Sequence, residues 1–282
     1  MAGTIADAIR ETTERLARTG IPTARLDAEV LLRHVLGLDR TQLFVRLREP
    51  LSAQDRGELD ALVDRRLAGE PIAYLTGSRE FMGLNFAVGP GVLIPRPETE
   101  VLVEWALSWL RTRDRATVID VGTGSGAIAL SVAVFRQGAR DRIIGVDRLA
   151  DALKYAETNR TALGLVERVS LVRGDLLSWC KGRLDLVLAN LPYLRPDQRE
   201  SNPDLLAEPE IALTSGDDGL SAVRRLLQSL PHLLAEHGAA ALEIDPSQTD
   251  AVRSAIRWAL PSARIKVLRD LAGLNRVVVA ER

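Results

Sequence analysis

The chain has 282 residues, enough for one large domain or two unequal ones with a sizeable core. A composition of 46% hydrophobic and 27% charged residues is that of an ordinary globular protein, and a net charge of −1 excludes a global basic field for nucleic acid or membrane. The single cysteine, Cys180, excludes an internal disulfide framework; no run is apolar enough to span a bilayer, and an N-terminus with Asp7, Glu11 and Glu14 is unlike a signal peptide, so a cytoplasmic protein is expected.

The first stretch reads as helical. Ile5, Ile9 and Leu16, then Leu26, Val30, Leu31, Val35 and Leu36, recur at helical spacing, with Gly20-Ile-Pro22 and Gly37 as punctuation. A third pattern, Leu59, Leu62, Val63, Arg66 and Leu67, ends at Gly69. With no strand signal between them, these predict a small bundle over residues 1–75. The arginines along it (Arg10, Arg15, Arg18, Arg25, Arg33) are read as solvated faces before they are read as a dock for an acidic surface.

Residues 76–98 are rich in Gly and Pro, with short apolar runs around Phe81-Met82 and Phe86-Ala-Val88, and predict a hairpin-like connector. The catalytic domain is expected over 99–282. Glu98-Thr-Glu100 looks like a helix start, its acids complementing the macrodipole. After Arg115 strands and helices alternate: strands at 117–121, 142–146, 169–172, 184–188 and 238–244, helices at 127–135, 150–163, 220–234 and 250–259. Such alternation predicts an α/β domain, a mostly parallel sheet with helices on both faces. Strands 264–268 and 275–279 predict a closing antiparallel hairpin at the edge.

Asp120-Val-Gly-Thr-Gly-Ser-Gly126 follows the first strand of this domain. Glycines serve where the backbone turns sharply and where a ligand must approach main-chain atoms closely. By itself the loop suits S-adenosylmethionine, NAD (Gly122-x-Gly124-x-x-Ala127 fits the dinucleotide fingerprint) or a plain strand–helix turn. Asp120, before the glycines, tilts the choice: its carboxylate favours a methionine ammonium and would repel a pyrophosphate. Asp147, ending the second strand, is placed for ribose hydroxyls in either case. Asp175, after the third strand, is read equally as an acceptor for an adenine amino group or as an N-cap.

Asn190-Leu-Pro-Tyr193 follows the fourth strand. In a doubly wound sheet ligands bind beyond the carboxyl ends of the strands, so Asn190 is expected to share a crevice with the glycine loop. A primary amide or aromatic amine donates two hydrogen bonds, which the Asn190 side-chain oxygen and a main-chain carbonyl of Leu191 can accept. Acceptors aimed at a nitrogen gaining positive charge stabilise its attack on a sulfonium methyl, and Tyr193 can pack its ring on the planar group. Alone, Asn-x-Pro is a common turn. Paired with the glycine loop, it points to methyl transfer onto an amide or exocyclic amine nitrogen.

The chain resembles the release-factor glutamine methyltransferases over nearly its full length. Beyond the two motifs, the likeness rests on Gly69-Glu-Pro-Ile-Ala-Tyr-Leu-Thr-Gly77, Glu80-Phe81, Val92-Leu-Ile-Pro-Arg-Pro-Glu-Thr-Glu100, Glu208-Pro209, Gly216-Asp-Asp-Gly219 and Asp270-Leu-Ala-Gly-Leu-Asn-Arg276. The resemblance implies a helical domain that recognises a class 1 peptide release factor, then a Rossmann-like class I methyltransferase domain. It implies transfer from S-adenosylmethionine to the glutamine amide of the factor's Gly-Gly-Gln loop, leaving S-adenosylhomocysteine. By motif position Gly122, Thr123, Gly124, Ser125, Gly126, Asp147, Leu176 and Asn190 would contact the donor, with Asp120 and Asp175 added from the residue reading. Asn190, Leu191, Pro192 and Tyr193 would hold the glutamine, with Asn190, Pro192 and Tyr193 forming the catalytic set. Two positions depart from the family. Leu191 stands where proline is usual, which predicts looser preorganisation. Asp245 stands where glycine is general, and is expected to lie away from the site.

Asn-Leu-Pro-Tyr is also carried by ribosomal RNA adenine dimethylases, so an N6-adenine methyltransferase on RNA or DNA is the alternative. The near-neutral charge counts against it, since such proteins neutralise several phosphates. A degenerate binding module and an NAD oxidoreductase follow. His34, His232 and His237 lack metal-ligand spacing, so no metal is expected, and Cys180 lacks an activating base.

Overall fold

The computed structural model describes residues 3–138, 140–202 and 205–282, and the chain divides into two compact units, Met1–Ser78 and Arg79–Arg282. The first unit holds five helices among its described residues: α1 (Ile5–Ala17), α2 (Ala24–Leu36), α3 (Arg40–Val45), α4 (Ala53–Leu67) and α5 (Ile72–Thr76). Thr4 and Asp39 close capping boxes at the starts of α1 and α3, satisfying amides that the helix leaves free. Ile5, Ile9, Leu16, Leu31, Leu32, Leu43, Leu59 and Val63 form the core.

One predicted face is rotated. Leu26, expected inside, is exposed, while its neighbour Asp27 is buried. Asp27 accepts from Arg66 Nε at 2.8 Å, so α2 and α4 meet across an ion pair as well as an apolar seam. Arg66, read as part of the apolar pattern, is the partner that allows Asp27 inside. Arg10, Arg15 and Arg25 pair with acids of the same unit, as solvated faces do.

The second unit begins with a hairpin, β1 (Ser78–Phe81) and β2 (Leu84–Ala87). The segment read as a connector is more than that: Phe81 and Phe86, buried and edge-to-face, belong to this unit's core. A 3-10 turn at Pro97–Thr99 leads into α6 (Glu100–Leu110). The sheet follows, with β3 (Thr117–Val121), β4 (Arg142–Asp147), β5 (Val169–Arg173), β6 (Leu184–Ala189), β7 (Leu234–Glu243), β8 (Arg264–Arg269) and β9 (Asn275–Glu281). Their spatial order is β5-β4-β3-β6-β7-β9-β8. β3 pairs parallel with β4 and β6, and β6 with β7; β9 runs antiparallel between β7 and β8. The final hairpin therefore lies at the edge as expected, with its second strand inserted inward.

Period-two alternation fills both faces. Val118, Ile143, Leu186, Leu188, Ala239 and Val277 face α6 and α7 (Ala127–Phe135). Ile119, Ile144, Val187, Ala240 and Val278 face α11 (Ser221–Leu233) and α12 (Thr249–Ala259). The remaining helices, α8 (Ala150–Ala162), α9 (Pro196–Glu200) and α10 (Glu210–Leu213), follow β4 and β6. This is a doubly wound α/β sheet. Its order reverses between β3 and β6, the place where such sheets bind ligands.

Candidate active site

β3 and β6 are adjacent and in register, Val121 opposite Ala189, so the residues that follow them emerge side by side. Gly122 and Gly124 have φ of 76° and 56°, conformations that favour glycine. A Cβ on Gly122 would lie 3.2 Å from Leu191 Cδ2 and 3.7 Å from the Asn190 carbonyl oxygen. The glycine turn and the Asn-Leu-Pro-Tyr run are thus in contact through the very atoms a side chain would displace. The loop is anchored to β4, because Gly122 N and Thr123 N both donate to the Val146 carbonyl.

A cleft enclosing about 730 Å³ of empty space, partly open to solvent, lies over this junction. Of the predicted residues, Gly122, Gly124, Asp147, Asp175, Leu176, Asn190, Leu191 and Pro192 line it. Asp147 Oδ2 accepts from Gly124 N and Oδ1 from Leu149 N, both at 2.9 Å, and burial raises its pKa. Leu176 holds a φ of 49°, unusual for a side-chain-bearing residue and of the kind that clusters where ligands bind.

Other predicted residues lie elsewhere. Asp120 is fully buried behind the loop, where Oδ2 accepts from Thr123 Oγ1 at 2.6 Å and from Ala129 N at 3.2 Å. It does not line the cleft: it lies within β3, one residue before the strand's end, and is wholly buried. Burial, reinforced by the charge of Asp147, pushes its carboxyl up to about 7, and Oδ1 has no hydrogen-bond partner among the described residues. Thr123, Ser125 and Gly126 also sit within the loop's scaffold and not on the cleft wall. Among the described residues the Asp175 side chain caps no helix; it is ion-paired with Arg225 of α11 at the cleft, a cation that no sequence motif places there.

A second cavity, with about 500 Å³ of empty space, adjoins, lined by Arg96, Tyr193, Leu194 and Leu205 among others. Leu93, Asn190, Leu191, Pro192 and Ala212 line both. Tyr193 therefore faces the second cavity and not the one over the glycine loop. Its carbonyl accepts from Gln248 Nε2 at 2.8 Å, and its amide donates to the Leu213 carbonyl. Asp245, expected far away, caps the turn that carries Gln248, its Oδ1 accepting from Ser247 N at 2.9 Å.

Asn190 Nδ2 donates to Thr99 Oγ1 at 3.1 Å, which leaves the carboxamide oxygen as the atom not committed to Thr99. Other residues that build the site were missed. Asn159 of α8 donates through Nδ2 to the carbonyls of Ser125 and Ala87 and accepts from Ala87 N, tying the glycine loop to β2. Glu208, almost wholly buried, accepts from Ile94 N at 2.9 Å and pairs with Arg96, fastening the wall of the second cavity. Only the written-out segments Val92 to Glu100 and Glu208-Pro209 hinted that these pieces meet.

Family comparisons agree with this division. A family model described as the PrmC N-terminal domain matches residues 7–77, and one described as a methyltransferase domain matches 112–254. The chain is 43% identical over 281 residues to a release factor glutamine methyltransferase of Moorella thermoacetica, covering 99% of each chain. It is 43% identical to another from Bordetella pertussis, covering 93% of this chain and 96% of that one. Among solved structures, the hMettl16 catalytic domain in complex with a MAT2A 3'UTR hairpin superposes with a TM-score of 0.58 over 78% of this chain and 81% of that one, at 15% identity, a likeness of fold alone. The doubly wound sheet, the paired loops at its switch point and this near-complete similarity together establish that the chain belongs to the release factor glutamine methyltransferase family.

Proposed function

We propose that the protein transfers a methyl group from S-adenosylmethionine to the side-chain amide nitrogen of the glutamine in the Gly-Gly-Gln loop of a class 1 peptide release factor. The observation that carries this reading is the shared wall: residues 190–192 border both the cleft over the glycine turn and the cavity that holds Tyr193. A donor in the first and a side chain entering the second would meet at Asn190.

The residues present fit the donor. Gly122 and Gly124 leave a backbone cradle that Cβ atoms would fill, and Asp147 keeps lone pairs for ribose hydroxyls beyond its two amide contacts. Asp120, buried behind the loop, braces it through Thr123 Oγ1 and Ala129 N. When bound, S-adenosylmethionine supplies an electrophilic methyl on a sulfonium.

The chain's own part is orientation. Asn190 Oδ1 and the Leu191 carbonyl accept the two amide hydrogens, which turns the nitrogen lone pair toward the donor and stabilises the charge that grows there. Neither oxygen is basic enough to keep a proton, so these atoms orient and stabilise; one amide proton passes to solvent once the methyl is on nitrogen. The helical unit Met1–Ser78 is read as the part that recognises the factor. Nucleic acid is not read as the substrate, since the net charge is −1, and a cytoplasmic setting follows from a translation factor as partner.

Incubation with labelled methyl donor and a release factor, beside its Gln→Ala variant in the Gly-Gly-Gln loop, tests the reading. Label on the native factor alone is expected; equal labelling of both overturns it. Labelled RNA or DNA beside an unlabelled factor would move the protein to the adenine class.

A further inference from the structure

The wall of the second cavity is mostly apolar, with Leu93, Leu191, Pro192, Leu194, Leu205 and Leu213 along it. Among the described residues lining it, Arg96, Asn190 and Tyr193 carry polar side chains. Asn190 serves the amide in the functional reading, and the Tyr193 hydroxyl donates at 3.5 Å to Glu243 Oε1, at the end of β7. That leaves Arg96, whose side chain is 30% exposed although that of its partner Glu208 is only 1% exposed. Glu208 accepts from Arg96 Nη2 with one oxygen and from Ile94 N with the other. Nε and Nη1 of Arg96 make no hydrogen bond among the described residues, so their protons remain for a ligand.

The ion pair selects the class of acceptor. An anion drawn to Arg96 would meet the Glu208 carboxylate at close range, in an apolar surrounding that screens repulsion weakly. A neutral oxygen meets no such opposition. Two consecutive glycines carry no side-chain acceptor, so the neutral oxygens they offer are main-chain carbonyls. We propose that Arg96 is a substrate-binding residue: its free guanidinium nitrogens donate to a main-chain carbonyl of the glycines beside the target glutamine. Glu208 holds the fork in place and cancels its charge. This deepens the functional reading and rests on the glutamine entering the second cavity.

The consequence is a hold at two points. Asn190 and Leu191 take the side-chain amide, Arg96 takes the main chain, and the distance between them decides which residue of the loop reaches the donor. The planar fork of arginine can serve Glu208 and a carbonyl at once. Lysine keeps the charge for Glu208 but presents a single nitrogen, which cannot reproduce both contacts. Because Glu208 orients Arg96 before the substrate arrives, little ordering is left for the moment of binding.

The test is a double-mutant cycle between enzyme and substrate. Release factor assembled by ligation carries an ester in place of the amide that follows each glycine in turn, which weakens one carbonyl acceptor at a time. Arg96→Lys should lower kcat/KM toward the native factor about tenfold, with donor Kd and Tm close to native. One of the two esters should cost the native enzyme a similar factor and cost Arg96→Lys little more. Should Arg96→Lys melt early, Arg96→Met combined with Glu208→Gln leaves neither charge unpaired, and the same coupling is read from it. Native kcat/KM in Arg96→Lys, or equal losses of native and variant enzymes on both esters, overturns the contact alone. A native enzyme that leaves the native factor unlabelled overturns the functional reading and this contact with it.

Discussion

Gly219, which closes the Gly216-Asp-Asp-Gly219 segment, shows how a loop glycine can be fixed by the site. Its φ is 73°, and a Cβ there would lie 2.1 Å from the Tyr193 carbonyl oxygen. Gly164 has a similar φ of 68° with nothing within 4 Å. Both alanine variants carry the left-handed penalty of roughly 1–2 kcal/mol. Gly219→Ala must also displace Tyr193, so it should lower stability further in denaturant titrations and cut methyl transfer, while Gly164→Ala keeps its activity. Asn190→Ala is expected to lower kcat about 100-fold, as loss of one preorganised polar group does, with donor affinity by calorimetry nearly unchanged. An unchanged rate would refute the role given to Asn190. Leu191 is the residue where the sequence argument was incomplete. Loss of the proline ring suggested looser preorganisation, but its side chain is buried among Ile119, Val121 and Leu220, and packing restrains what the ring would have. Leu191→Ala should therefore cost about 2–5 kcal/mol, far more than a surface position.

At the scale of elements, the site is assembled by buried polar side chains that join separate segments. Asn159 belongs to α8 by its helical pattern, yet it saturates three backbone groups on β2 and the glycine loop. Asn159→Leu would strand those groups at about 1–3 kcal/mol each. Thermal melts should show a lower Tm, and donor affinity should fall with it. The Arg96–Glu208 pair does the same for the second cavity. Arg96→Met leaves a buried carboxylate without its cation, a change of about 3–5 kcal/mol in such pairs before discounting for the part exposure of Arg96. Limited proteolysis should then cut faster between residues 195 and 208, and full protection there would count against the latch. None of these links was legible in the chain. The helix, strand and turn holding each residue could be read from periodicity, but which buried Asn or Glu reaches which backbone amide depends on side chains separated by up to 114 positions.

Across the whole molecule, burial of carboxyls sets the response to pH. Asp120 and Glu243 have ordinary values of 3.8 and 4.5, and both rise to about 7 in the fold because burial penalises their ionised forms. Between those limits the folded state holds protons that the unfolded chain has released. Stability is therefore greatest below about pH 4 from these two groups, and their contribution is lost as pH rises through about 7. Thermal melts from about pH 5 to about pH 8 should show this decline, and Asp120→Asn should flatten it; a slope unaltered by that variant would contradict the assignment.

Local chemistry was enough for the order of strands and helices and for the loops that would flank the switch point, because periodicity and glycine placement act within a few residues. In the structure the register of β3 against β6 brings Asn190 out beside Gly122. The inward turn of Asp27, the retreat of Asp120 behind its loop and the contact of Asn190 with Thr99 were decided only on folding. Each depends on desolvation and on partners brought together from distant positions, and a one-dimensional pattern holds neither.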